Sequence, residues 1–195
     1  MANLITLEDY KTSEKIESTK DDTRLNSLIA SISTLVKTYC NNALVDYYST
    51  DKTETISVKW STTNIQLAGS PIVSITSVKE RTSYDAAYTT LTTGAHEYYL
   101  DLDTDSIVRT TGATFKNWPQ GPGSVQVAYK SGYAACPADL KLAVIDLINY
   151  YHKDEHKARQ TMQGSSTANN STSSQNDNVG FPDHIKRVLD LYKNY

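Results

Sequence analysis

Apolar residues recur along this chain at two different periods, and the change of period divides it into segments. Near the N-terminus, "TLEDYK" places Thr6 three residues before Asp9, the spacing of a capping box, and predicts a short first helix. A polar connector runs from Thr12 to Lys20. From Asp21 the apolar positions Leu25, Leu28, Ile29, Ile32, Leu35, Val36, Tyr39 and Cys40 fall three and four apart, on one face of a helix closing at Asn41 and Asn42. Burying such a stripe stabilises on the order of 1.5 to 3 kcal/mol per large side chain before conformational entropy is subtracted, so this helix needs a partner.

From Thr53 to Tyr129 the period becomes two. Ile56, Val58 and Trp60 alternate with Ser57 and Lys59, and Tyr98, Leu100 and Leu102 alternate with Tyr99 and Asp101. "GSPIVSITSVKE" supplies a strand after a turn, "DTDS" turns a hairpin, and "WPQGPG" is a loop before a last strand, "SVQVAY". A long helix then starts at Pro137, with Asp139 in its first turn and a stripe of Leu140, Ala143, Val144, Leu147, Ile148 and Tyr151. That stripe is the natural partner of the one beginning at Leu25. Residues 161–180 form a polar, low-complexity tract expected to be flexible, and Pro182 opens a short amphipathic helix carrying Ile185, Val188, Leu189 and Tyr192.

These patterns predict an α+β chain forming one domain. Its core is a small helical bundle of two long helices, near 21–41 and 137–159, with short N- and C-terminal helices. Residues 1–52 and 130–160 supply that helical core, 53–129 an inserted antiparallel β-hairpin lobe, and 181–195 a C-terminal docking helix.

Composition narrows the function. The 195 residues carry a formal net charge of −3, which argues against a protein that coats phosphates with clustered Lys and Arg. Cys40 and Cys136 are far apart and show no metal or redox spacing, so both are read as reduced thiols. The start "MANLITLEDYKTSEK" has no signal-peptide pattern and no run of apolar residues is long enough to span a bilayer, so a soluble chain made in the cytoplasm is expected, without membrane contact. Fourteen Tyr stand against two Phe, a bias that favours large contact surfaces because the phenol is apolar on its face and tolerates water at its hydroxyl.

Two motifs test for chemistry. "YHKDEHK" contains His152, Glu155 and His156 in an H-x-x-E-H arrangement, which on a helix could offer two imidazoles to one zinc ion with a glutamate as base. No glutamate follows Glu155 to serve as a third ligand, so the expected reading is a solvated helix end and the zinc peptidase is the remote alternative. "DLDTDS" begins like a calcium loop at Asp101, but Ser106 and Gly112 stand where glycine and glutamate are required, which leaves an acidic hairpin turn. No nucleophile elbow, phosphate loop or dinucleotide fingerprint is present. No catalytic residue, metal or cofactor is expected.

The order of parts carries more information than any motif. The "TLEDYK" helix, the "DDTRLNSLIASISTLVKTYCN" helix, a β insertion with "SPIVSITSV", the block "YKSGYAACPADLKLAVIDLINYY" and the final P-x-x-I-x-x-x-L segment together resemble the head-tail connector, or adaptor, proteins of tailed bacteriophages. Within that block the residues carrying the resemblance are Tyr129, Gly132, Pro137, Asp139 and Leu140. The resemblance implies a non-enzymatic virion protein forming a ring, typically a dodecamer, between the portal and the tail at the capsid vertex. Its partners would be further copies of itself, the portal protein and a tail or nozzle protein, with genomic DNA passing through the channel without sequence-specific binding. A head-closure or tail-completion subunit elsewhere in the neck is the alternative. Phe181, Pro182, Ile185, Leu189 and Tyr192 are the candidate portal or intersubunit contacts that the resemblance implies, the equal alternative being that this helix packs on its own subunit's core.

Overall fold

Thr6 sets the first element. In the computed structural model, which describes residues 2–153 and 181–194, its hydroxyl accepts from the backbone N–H of Asp9 and the Asp9 carboxylate accepts from the N–H of Thr6, each at 3.1 Å. This reciprocal cap starts α1 (Leu7–Glu14). Helix α2 (Asp22–Cys40) buries Leu25, Ile29, Ile32, Val36 and Cys40 along one face. It ends at Asn41, whose φ of 48° lies in the left-handed region that asparagine tolerates. Helix α3 (Ala138–His152) buries Leu140, Ala143, Val144, Leu147 and Ile148, and α4 (Asp183–Leu191) buries Ile185 and Leu189. The α2 stripe packs on α3, and α4 packs against both.

The chain divides into two compact units, one from Met1–Asn41 with Cys136–Lys193, the other from Asn42–Ala135. In the first, buried polar groups pin the N-terminal strand of chain to α2. The Lys37 ammonium donates to the Ala2 carbonyl at 2.6 Å and the Leu4 N–H donates to the Ser33 hydroxyl at 3.0 Å. Tyr10, almost wholly buried, donates to Asn149 at 2.6 Å and so ties α1 to α3.

The second unit holds eight strands: β1 (Lys52–Val58), β2 (Asn64–Gln66), β3 (Ile72–Glu80), β4 (Thr89–Leu91), β5 (Tyr98–Asp101), β6 (Ser106–Thr111), β7 (Thr114–Phe115) and β8 (Gly121–Ser131). One antiparallel sheet has the order β1-β8-β3-β4, the other β2-β6-β5 with β7 paired to β6. Long β8 is central because "SVQVAY" alternates cleanly: Val125, Val127 and Tyr129 all point inward and are fully buried. A single core cluster joins residues of both sheets, among them Ile65, Ile107, Val78, Val125, Val127 and Trp118.

This architecture corrects the expected fold. A helical bundle of two long helices with a hairpin lobe is not what forms. Among the described residues two of the four helices are short, and the β part is two antiparallel sheets with a core of their own. The chain is mixed α+β. The physical reason is that the strands of both sheets bury one another's apolar side chains in a shared core. The predicted extension of the second long helix to residue 159 and the tract 161–180 lie outside the described residues. Pro137 also sits one position earlier than expected. It is the N-cap of α3, with its carbonyl accepting from the Lys141 N–H at 2.8 Å, and Ala138 is the first helical residue.

Candidate interaction surfaces

The C-terminal segment reads either as an apolar docking face or as a helix packed on its own subunit, and in the fold that face is turned inward. Phe181, Pro182, Ile185 and Leu189 are buried in the helical unit. The Phe181 ring meets Tyr39 edge-on with centroids 5.1 Å apart, and Tyr39 donates to the Asp190 carboxylate at 2.6 Å. Tyr192 donates to Asp139 at 2.6 Å, and this hydrogen bond holds the Asp139 carboxyl below the usual carboxylate range. Asp139 therefore latches the end of α4 to the start of α3. Leu140 lies beneath it, fully buried.

The remaining block residues are structural in their placement. Tyr129 donates to Glu54 at 2.7 Å and accepts from the Gly69 N–H at 2.9 Å. Burial, reinforced by Glu54, pushes its phenol well above the ordinary range. Gly132 has a φ of 98°, and a Cβ there would lie 1.8 Å from the Leu44 carbonyl oxygen, so no other residue fits this turn.

The metal motif comes only partly into view. His152 is the last residue of α3, while Glu155 and His156 lie outside the described residues. Among the described residues no group of three or more His, Cys, Asp or Glu is placed to hold a metal ion. In the acidic turn the Asp101 carboxylate accepts from the Asp103 N–H at 3.1 Å and the Thr104 hydroxyl at 2.9 Å, and Asp105 accepts from Ser70 and from the Ile72 N–H. These carboxylates shape the loop rather than converge on one point. Burial pushes both Cys40 and Cys136 up to about 11, so each is a protonated thiol at neutral pH.

Sequence patterning did not foresee which apolar side chains would stay outside. Trp60 and Phe115 are each 77% exposed, Leu102 is 60% exposed, and Tyr84 and Tyr99 are also exposed, all in the β unit. Trp60 and Leu102 continue the alternation of β1 and β5 in sequence, yet β1 ends at Val58 and β5 at Asp101, so both fall on loops. Among the described residues no helix is long and apolar enough to cross a membrane.

A sheet-based unit with aromatic side chains left in water, joined in sequence to a helical unit that packs its own C-terminal helix, defines the class: a mixed α+β chain. The chain belongs to the head completion protein family, whose model matches residues 3–195. Over 77 residues it is 31% identical to the head completion protein of Escherichia phage T5, a stretch that spans 40% of this chain and 42% of that relative. Its fold is similar to a chain in the neck of an empty gene transfer agent particle computed with C6 symmetry, with TM-score 0.61 and 15% identity over 98% of this chain and 90% of that one. It is likewise similar to a chain in the neck of the native particle computed with C12 symmetry, with TM-score 0.56 and 16% identity over 100% of this chain and 96% of that one. At these identities the likeness is one of fold. The resemblance read from "YKSGYAACPADLK" and the order of parts therefore holds at the level of the family.

Proposed function

We propose that this chain is a non-enzymatic virion protein of the phage neck, in which copies close a ring between the portal and the tail around the exit path of the genome. The observation that carries this reading is the family match over residues 3–195, taken with a fold like that of subunits from necks computed with C6 and C12 symmetry. A ring of twelve fits the second of these symmetries. The net charge of −3 suits a channel wall, because a surface that does not grip phosphates lets DNA slide. Partners in this reading are further copies, the portal protein and a tail or nozzle protein.

Phe181, Pro182, Ile185, Leu189 and Tyr192 enter this proposal with a constraint. Their apolar face is occupied by the helical unit's own core, so portal contact through it requires α4 to exchange one seat for another. Removal of the gene tests the proposed role. Particles made without the chain are expected to be heads that lack tails or lose their DNA, and normally tailed, infectious particles would refute the neck assignment. The family's description as head completion favours, as the second reading, a closure subunit sealing the filled head further along the neck.

A further inference from the structure

We propose that opposite ends of β6 carry the two halves of one head-to-tail contact between copies of this chain. One half is the aromatic and basic surface of Lys59, Trp60, Phe115 and Lys116, and the other is the acidic turn tip of Leu102 and Asp103. The inference rests on the ring reading above and names the surfaces that would close it.

Strand register places the two halves. At one end of β6, Ser106 pairs with Asp101, so the turn 102–105 projects there. At the other end Thr110 pairs with Phe115, and the Trp118 backbone N–H donates to the Thr62 carbonyl at 2.9 Å while Val58 pairs with Gly121. Those pairings bring the loop holding Lys59 and Trp60 to the same end as Phe115 and Lys116. The ends are separated by the length of β6, roughly 17 Å at about 3.3 Å per residue.

The chemistry of the halves is reciprocal. Lys59 and Lys116 are exposed, each beside an aromatic ring that is 77% exposed. At the far end Leu102 is exposed between Asp101 and Asp103, so an apolar side chain is flanked by acids where the other half has rings flanked by lysines. Trp60 and Phe115, brought to the same end of β6 and bordered by charge, are where an interaction site is to be sought, since exposed apolar side chains gathered together mark such sites where single ones do not. Because the matching half lies on the same chain, at the other end of the same strand, the occupant is a second copy. Two different, complementary patches make a heterologous contact, the kind that closes into rings larger than a dimer. Two lysines in a chain of net charge −3 are a poor footprint for DNA by comparison.

The test uses the full chain, mixed from ¹⁴N- and ¹⁵N-labelled protein at rising concentration, treated with a carbodiimide and read by mass spectrometry. Mixed-isotope cross-links from Lys59 or Lys116 to Asp101 or Asp103 are expected, together with concentration-dependent oligomers. Lys116→Glu and Asp103→Lys, both at exposed positions, should each weaken association by roughly tenfold or more, and mixing the two variants should restore it. Trp60→Ala should weaken it with an unchanged melting temperature. Oligomers cross-linked only elsewhere, association indifferent to both charge reversals, displacement of the cross-links by duplex DNA, or a chain monomeric at every concentration would each overturn the inference. Images of assembled necks separate the two levels: a ring joined through other surfaces refutes this contact alone, whereas a neck without the chain refutes the proposed function.

Discussion

Arg109 is a charged side chain buried in the β unit. It is 3% exposed, and its guanidinium forks onto Glu80 of the other sheet through Nε at 2.9 Å and Nη2 at 2.8 Å, while Nη1 donates to the Thr110 carbonyl at 2.7 Å. Removing Arg109 leaves the half-buried Glu80 carboxylate unpaired and a cavity in the core, so Arg109→Ala should destabilise by about 2 to 4 kcal/mol in denaturant unfolding. Replacing both Arg109 and Glu80 with apolar residues should cost much less. Gly132→Ala should fail for a different reason, since its new methyl would collide with the Leu44 carbonyl at a positive φ; a loss of at least about 2 kcal/mol is expected from the same measurement. Asp9 bears on pH. The hydrogen bond from Lys141, at 2.7 Å, with the cap bonds from Thr6, lowers its carboxyl to about 2. A depressed carboxylate stabilises the fold fully above its unfolded value near 3.9 and stops doing so as pH falls toward about 2. Lys141→Ala should therefore flatten the acid limb between about pH 4 and 2, by less than about 1 kcal/mol because the pair is a third exposed. The buried Arg109 and its half-buried partner Glu80 were not legible in the sequence, where they read as two more charges on strands. Gly132 stood out only within the block that carries the resemblance, and its neighbour Leu44, far away in the chain, was not legible.

At the scale of elements, the helices show what patterning can and cannot say. The stripes beginning at Leu25 and Leu140 are buried as their spacing dictates, and the Thr6 capping box forms as its spacing dictates. The β region was readable as alternation, but β2, β4 and β7 are only three, three and two residues long. Such strands leave too little periodicity to be seen, and their pairing into two sheets is decided by partners distant in sequence. Trp60 and Leu102 illustrate the same limit, since alternation states a side chain's face and not whether a neighbouring strand is there to pair. Helix α4 was read correctly as amphipathic, while the surface that receives it was left open; the fold gives it α2 and α3. Leu189→Ala should then cost about 2 to 5 kcal/mol in the isolated chain, as for any fully buried leucine. A cost close to zero in thermal or denaturant unfolding would mean that α4 is not seated there in solution.

At the scale of the whole molecule, two units meet different demands. The helical unit packs its own C-terminal helix, and the β unit leaves aromatic side chains at its loop end in water, the side chains to which the proposed contact between copies assigns a partner. In the proposed role many copies of this chain stand as a closed ring in the neck. A symmetry-resolved reconstruction of the neck of particles that carry this chain is the decisive measurement. A ring of copies between portal and tail around the DNA path, joined head to tail through the ends of β6, is expected. Density that places the chain outside the neck, or as a single copy there, would contradict it.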